Sequence, residues 1–219
     1  MLYESFRSMG VERALKRHAS GNIFYSHPGR GKGEKMARLK IARLGNPILR
    51  QKAAPVDLND LKNPENEIRA LVQDMVETMH HEGGVGLAAP QVARSLQVAV
   101  LEYEENERYP GHGTVPLTVL INPVITRYSE EKQLGWESCL SLSDFRGRVE
   151  RSLSVTVEAW DLEGNKRVID AEGFLAVVLQ HEIDHLNGLV FIDRMDDLTQ
   201  LAYEEEFETY WMGEEAVEA

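Results

Sequence analysis

The residues of this 219-residue chain with the clearest chemical capacity are His181-Glu182-Ile183-Asp184-His185. Two histidines four apart on a helix differ by about 40° around its axis, so both imidazoles leave one face and can share a divalent ion. Glu182 follows the first histidine and can reach a water at that ion without being a ligand itself. A chance pair of surface histidines is the bland alternative. Against it stands the preceding run Phe174 to Leu179, apolar all round. Such a run marks a buried helix, where unpaired polar groups are costly and a shared metal would resolve that cost.

The motif needs a third ligand, and three candidates can be compared. The extended pattern HExxHxxGxxH is met by Gly188 but fails at Phe191, which cannot bind metal. A downstream glutamate is available as Glu204, Glu205 or Glu206, although three acids in an acidic tail need no special purpose. The third candidate is Cys139, the only cysteine. A lone cysteine cannot form an internal disulfide, and it serves as a small core hydrophobe, a nucleophile or a ligand; as thiolate it suits Zn²⁺ or Fe²⁺. A further segment, Gly84 to Gln91, is rich in Gly and Ala. No GK[ST] follows it, so it is not a phosphate loop. Its small residues allow close approach of backbone to a ligand, and the Gln91 amide could meet a developing oxyanion.

These residues must be positioned by a modest set of elements. Residues 64–82 read as a helix, with Ile68, Leu71, Val72, Met75, Val76 and Met79 on one stripe, Asn63 as N-cap, Pro64 at the first position and Gly83-Gly84 as the stop. The two methionines read as core filling. Short β-like runs follow at Leu96–Glu102, Leu117–Asn122, Leu153–Trp160 and Lys166–Ile169, the last two joined by a Glu163-Gly164-Asn165 turn. A second helix is predicted over about Ala171–Asn187, capped by Asp170 and ended by Gly188, and a third, weaker one over about Leu198–Trp211. Helices set among several strands without βαβ alternation indicate an α+β class.

The length suits one domain with at most a small appendage. The formal net charge is -12, unevenly spread. Residues 1–36 carry seven Lys/Arg against three Glu, and residues 196–219 carry nine acids and no base. The acidic balance argues against non-specific nucleic-acid binding. There is no apolar run of ~18 residues for a membrane span. Residues 1–36 lack an apolar h-region and read as an N-terminal extension with a glycine-rich linker, 37–195 as the catalytic domain, and 196–219 as an acidic helix or tail.

Taken together, Gly84 to Gln91, Glu137 to Ser141 and Gln180 to His185 resemble the GxGLAAxQ, EGCLS and QHExDH motifs of the peptide deformylase family, in that order. The resemblance covers about residues 37–195. It implies short antiparallel sheets packed around a central buried helix that carries HExxH. It further implies that Cys139, His181 and His185 hold the metal, leaving a fourth position for water. Glu182 would be the general base, and Gln91 with the backbone N–H of Leu140 would stabilise the oxyanion. Val85, Phe174, Val177 and Val178 match positions lining a methionine side-chain pocket. Arg146 matches a position near the substrate backbone, Glu137 one behind the ligands, and Gly84, Gly86 and Ser138 positions where backbone approaches substrate. Ser138 departs from the usual glycine, which bears on pocket width and not on the ligands.

The activity so implied is hydrolysis of the N-formyl group from the N-terminal methionine of nascent polypeptides, releasing formate. The ion would be Fe²⁺, with Zn²⁺, Ni²⁺ or Co²⁺ as substitutes in isolated protein. The expected setting is a cytoplasmic monomer acting on N-formylmethionyl nascent peptides, without membrane or nucleic-acid recognition. Contact with the ribosome would be transient, since the acidic C-terminal segment differs from the basic docking helix of some bacterial members. Organellar targeting by residues 1–36 is the lesser alternative. Three rivals remain: an HExxH endopeptidase using a downstream Glu, a non-catalytic module around a structural metal, and a hydrolase with Cys139 as nucleophile.

Overall fold

A computed structural model describes residues 38–63, 66–104 and 113–212. The expectations for residues 1–36 and for Pro64 lie outside them. Helix α1 spans Glu67–His81. Its buried residues Ile68, Val72, Met75 and Met79 pack with Val98 and Val100 of the second strand, β2 (Val98–Tyr103). The intervening Ala99 and Leu101 join the opposite core, together with Val178, Leu179, Ile183 and Leu186 of α2 (Phe174–Leu186). Successive strand residues point to opposite faces. β2 is therefore apolar on both sides over Val98–Leu101 because a helix covers each, and Glu102 follows where that run ends. Each large side chain so removed from water contributes roughly 1.5–3 kcal/mol.

Two antiparallel sheets frame α2. The larger has the order β1-β2-β3-β6-β7, adding β1 (Gly86–Ala88), β3 (Val115–Tyr128), β6 (Ser154–Trp160) and β7 (Lys166–Glu172). The smaller joins β4 (Lys132–Glu137), β5 (Phe145–Ser152) and β8 (Leu201–Tyr203) in that order. This is the α+β arrangement expected, with a buried helix at its centre. Among the described residues no helix is long and apolar enough to cross a membrane.

Among the strands, the sequence reading stops β3 at Asn122, whereas it runs to Tyr128, and holds no strand at β4 or β5; the helices differ from it in three places. Helix α1 begins at Glu67, and its N-cap is Asn66, whose side chain accepts from the Arg69 amide; Asn63 instead ends a 3-10 turn at Asp60–Lys62. Residues 171 and 172 belong to β7, not to the helix. Asp170 lies within that strand and accepts from Thr156 Oγ1 instead of capping. The switch from strand to helix falls on Gly173 at φ +60°, a left-handed value that glycine adopts without penalty. The third helix is broken up. Leu198–Gln200 form a 3-10 turn, β8 pairs with β5, and only Glu204–Tyr210 (α3) is α-helical.

Candidate metal centre

Helix α2 delivers His181, Glu182 and His185 to one place, as the spacing requires. Gln180, one residue earlier, fastens the helix to the end of β5. Its amide donates to the Ser152 carbonyl at 3.0 Å and accepts from the Ser152 N–H at 3.2 Å. Cys139 arrives from the other side, just past the end of β4, as the N-cap of a 3-10 turn at Leu140–Leu142. Its Sγ lies 3.2 Å from His185 Nε2. The donor atoms of Cys139, His181 and His185 all fall within 4.8 Å of one another.

That geometry fits a shared ion. Zn–S and Zn–N bonds of about 2.3 and 2.0 Å at tetrahedral angles put S and N about 3.6 Å apart. The electrostatics make the same demand. Burial disfavours a charged Cys139, yet the positive charge of His185 and hydrogen bonds from both imidazoles hold the thiol well below its usual range. Burial likewise disfavours charged His181, but the hydrogen bonds to Cys139 and Glu137 outweigh it and raise its pKa well above the ordinary value. Sulfur, Glu137 and imidazoles together call for positive charge between them, which a divalent ion supplies once the histidines are neutral.

Glu137 Oε2 accepts from His181 Nδ1 at 2.8 Å, which leaves Nε2 as the nitrogen free to ligate. Burial would raise the Glu137 pKa, but the hydrogen bonds from His181 and Arg151 bring it down to about 2. Glu182 has the opposite fate. It is buried, burial pushes its pKa up to about 7, and its Oε2 has no hydrogen-bond partner. A carboxylate so placed is poised to take a proton near neutral pH. Gln91, also buried, is oriented by the Ala88 N–H, which donates to its Oε1 at 2.8 Å; this aims Nε2 at Cys139 Sγ, 3.5 Å away.

The remaining expected residues are placed as follows. On α2, Phe174, Val177 and His181 are half-buried at helical spacing, which gives them a common face. Val85 and Phe174 pack against the cluster that contains buried Val178. Ser138 is half-buried between Glu137 and Cys139. The two glycines meet protein neighbours: a Cβ on Gly84 would lie 2.9 Å from Leu140 Cδ1, and one on Gly86 would lie 2.8 Å from Glu182 Cδ. Arg146 is engaged by the C-terminal helix, its Nε and Nη2 donating to Glu204 at 2.5 and 2.7 Å with Phe207 beneath the guanidinium. Glu204 is thus tied to Arg146, and the ligand cluster found among the described residues contains Cys139 and no downstream glutamate.

Sequence reasoning missed Arg151, Asp184 and Arg194. Arg151 contacts both Glu137 oxygens and Asp184, and Arg194 contacts Asp184 again. Glu137 and Asp184 lie inside the motifs, and a buried carboxylate beside a ligand implies a cation to compensate it. Which arginine would serve was not readable.

Known proteins match this assembly. The polypeptide deformylase family model matches residues 38–201. Peptide deformylase 1 of Bordetella pertussis is 46% identical over 165 residues, covering 75% of this chain and 92% of that protein. The peptide deformylase of Leptospira biflexa is 40% identical over 175 residues, covering 80% and 97%. A Met-Ala-Ser-bound crystal structure of the class I type b peptide deformylase from Acinetobacter baumannii superposes with a TM-score of 0.70 at 40% identity, covering 74% of this chain and all of that one. This chain belongs to the polypeptide deformylase family.

Proposed function

We propose that this protein removes the N-formyl group from the N-terminal methionine of newly made polypeptides, with Cys139, His181 and His185 as metal ligands. The observation that carries the reading is the convergence of those three donors within 4.8 Å beside a buried Glu182 with a free oxygen. An ion bound there supplies a Lewis acid that makes water nucleophilic near neutral pH. Glu182 takes the proton of the attacking water and returns it to the methionine nitrogen as the C–N bond breaks, so formate and a free α-amine result. Gln91 Nε2 and the Leu140 N–H donate to the oxyanion that develops on the formyl oxygen. Phe174, Val177, Val178 and Val85 take the methionine side chain, whose flexible thioether suits an irregular apolar wall. Gly84, Gly86 and Ser138 border the substrate backbone.

One thiolate and two imidazoles form a donor set suited to Fe²⁺ or Zn²⁺, and Fe²⁺ is the native ion in this reading. The catalytic domain spans 37–195 in a cytoplasmic monomer that meets nascent chains through transient ribosome contact. The test is formate release from formyl-Met-Ala-Ser by anaerobically purified protein, with Glu182→Ala as control. Release from the wild type and none from the variant is expected. A metal-loaded wild type that releases no formate would end the reading.

A further inference from the structure

The ligands come from two separate pieces of chain, Cys139 from the end of β4 and the histidines from α2. One side chain ties these pieces together. Arg151, on β5, donates from Nε to Glu137 Oε1 at 2.7 Å and from Nη2 to Glu137 Oε2 at 3.1 Å. Its Nη1 donates to Asp184 Oδ2 at 2.6 Å. Glu137 stands two residues before Cys139, and Asp184 stands immediately before His185. A single planar cation thus spans from the end of β4, two residues before the cysteine, to the histidine-bearing helix.

Beyond Asp184, Arg194 donates from Nε to Oδ2 at 3.0 Å and from Nη2 to Oδ1 at 2.5 Å. The side chains of Arg151, Glu137 and Asp184 are 5 to 8% exposed, while that of Arg194 is 45% exposed. Two guanidiniums balance two carboxylates along a line that runs from the surface to His181 Nδ1. The fork of a guanidinium holds the plane of a carboxylate as well as its charge, which a lysine ammonium cannot do. With the Glu137 plane fixed, the tautomer and tilt of His181 are fixed too.

We propose that Arg151 is the positioning residue of the metal centre. It clamps the end of β4 to α2, Arg194 closes the Asp184 end, and the clamp sets how tightly the three ligands take a divalent ion. The proposal rests on reading Cys139, His181 and His185 as those ligands. A purely structural role predicts something different: a less stable fold whose affinity for metal is unchanged.

The test uses Co²⁺ as probe on metal-stripped, anaerobic full-length protein. Affinity is read by competition with a chromophoric chelator, ligand geometry by the thiolate-to-cobalt absorption band, and folding by melting of the metal-free forms. Arg151→Met and Arg151→Lys are each expected to bind Co²⁺ about 10–100-fold more weakly than wild type, with a weakened thiolate band, and Arg194→Gln about tenfold more weakly. Wild-type affinity and an intact band in folded Arg151 variants would overturn the proposal, however far their melting temperatures fall. Should the Arg151 variants not fold, the half-exposed Arg194→Gln decides by the same two readings. A wild type that takes no Co²⁺ would instead remove the ligand reading beneath it.

Discussion

Gly86 and Glu182 exclude each other's volume: an added Cβ on Gly86 would sit 2.8 Å from Cδ and 2.9 Å from Cγ of Glu182, nearer than real Cβ atoms approach. β1 therefore runs directly against the carboxylate proposed as the base, and glycine at this point makes room for it. Gly86→Ala is expected to displace that carboxylate while leaving the three ligands in place. A shift of about 1 Å costs on the order of 100-fold in rate. Turnover of formyl-Met-Ala-Ser should fall by that much at unchanged metal content. Near-wild-type turnover would show that Glu182 tolerates the crowding and that the contact is incidental.

Glu182 itself is held at a cost to the fold. It is buried, one oxygen lacks a partner, and burial pushes its pKa up to about 7. Glu182→Gln keeps the shape and removes the charge. Turnover should drop by about 10²–10⁴ through loss of the general base. The metal-free variant should melt higher than metal-free wild type at pH 8, by about 1 kcal/mol of stability, because a buried charge with an unpaired oxygen is removed. Equal or lower stability of the variant would mean that the carboxylate is better satisfied than its surroundings indicate.

The parts of this site that were legible in the sequence are those fixed by local geometry. His181, Glu182 and His185 follow from helical spacing alone. Cys139 was legible because it is the only thiol and falls within a recognisable motif. The clamp was not legible, because Arg151, Asp184 and Arg194 meet only after β5, α2 and the following segment have packed. The late start of α2 was missed because Ala171 and Glu172 suit a helix as well as a strand; what decides is their pairing with Val155 and Ser154 of β6. β1 and β8, three residues each, are too short to show a period of two.

The choice of third ligand can be settled by metal content. Cys139→Ala should lose the ion, whereas replacing Glu204, Glu205 and Glu206 together by Ala should retain it, since Glu204 is bound to Arg146 and the cluster contains the cysteine. A chelator should abolish formate release, and added Fe²⁺ or Co²⁺ should restore it. A metal-free protein that still turns over would instead favour Cys139 acting as nucleophile. Metal lost from the triple Glu variant but kept by Cys139→Ala would revive the endopeptidase arrangement.

Asp161 offers a test of the scaffold away from the ligands. Its Oδ1 accepts from the Glu163 and Asn165 amides at 3.0 and 2.8 Å, and its Oδ2 accepts from Arg167 Nε at 2.9 Å. These bonds shape the turn between β6 and β7, and β7 leads through Gly173 into α2. Burial alone would raise the Asp161 pKa, but the hydrogen bonds from Asn165 and Arg167 lower it below the ordinary 3.8. A carboxylate with a depressed folded pKa stabilises the fold above its unfolded value, and that contribution is lost as pH falls through the folded value. Asp161→Ala should therefore cost about 1–3 kcal/mol at pH 7. In denaturant titrations the gap from wild type should hold down to about pH 4 and narrow as the solution is acidified further. A gap that stays constant into strong acid would assign the turn's stability to its backbone and not to the ionised carboxylate.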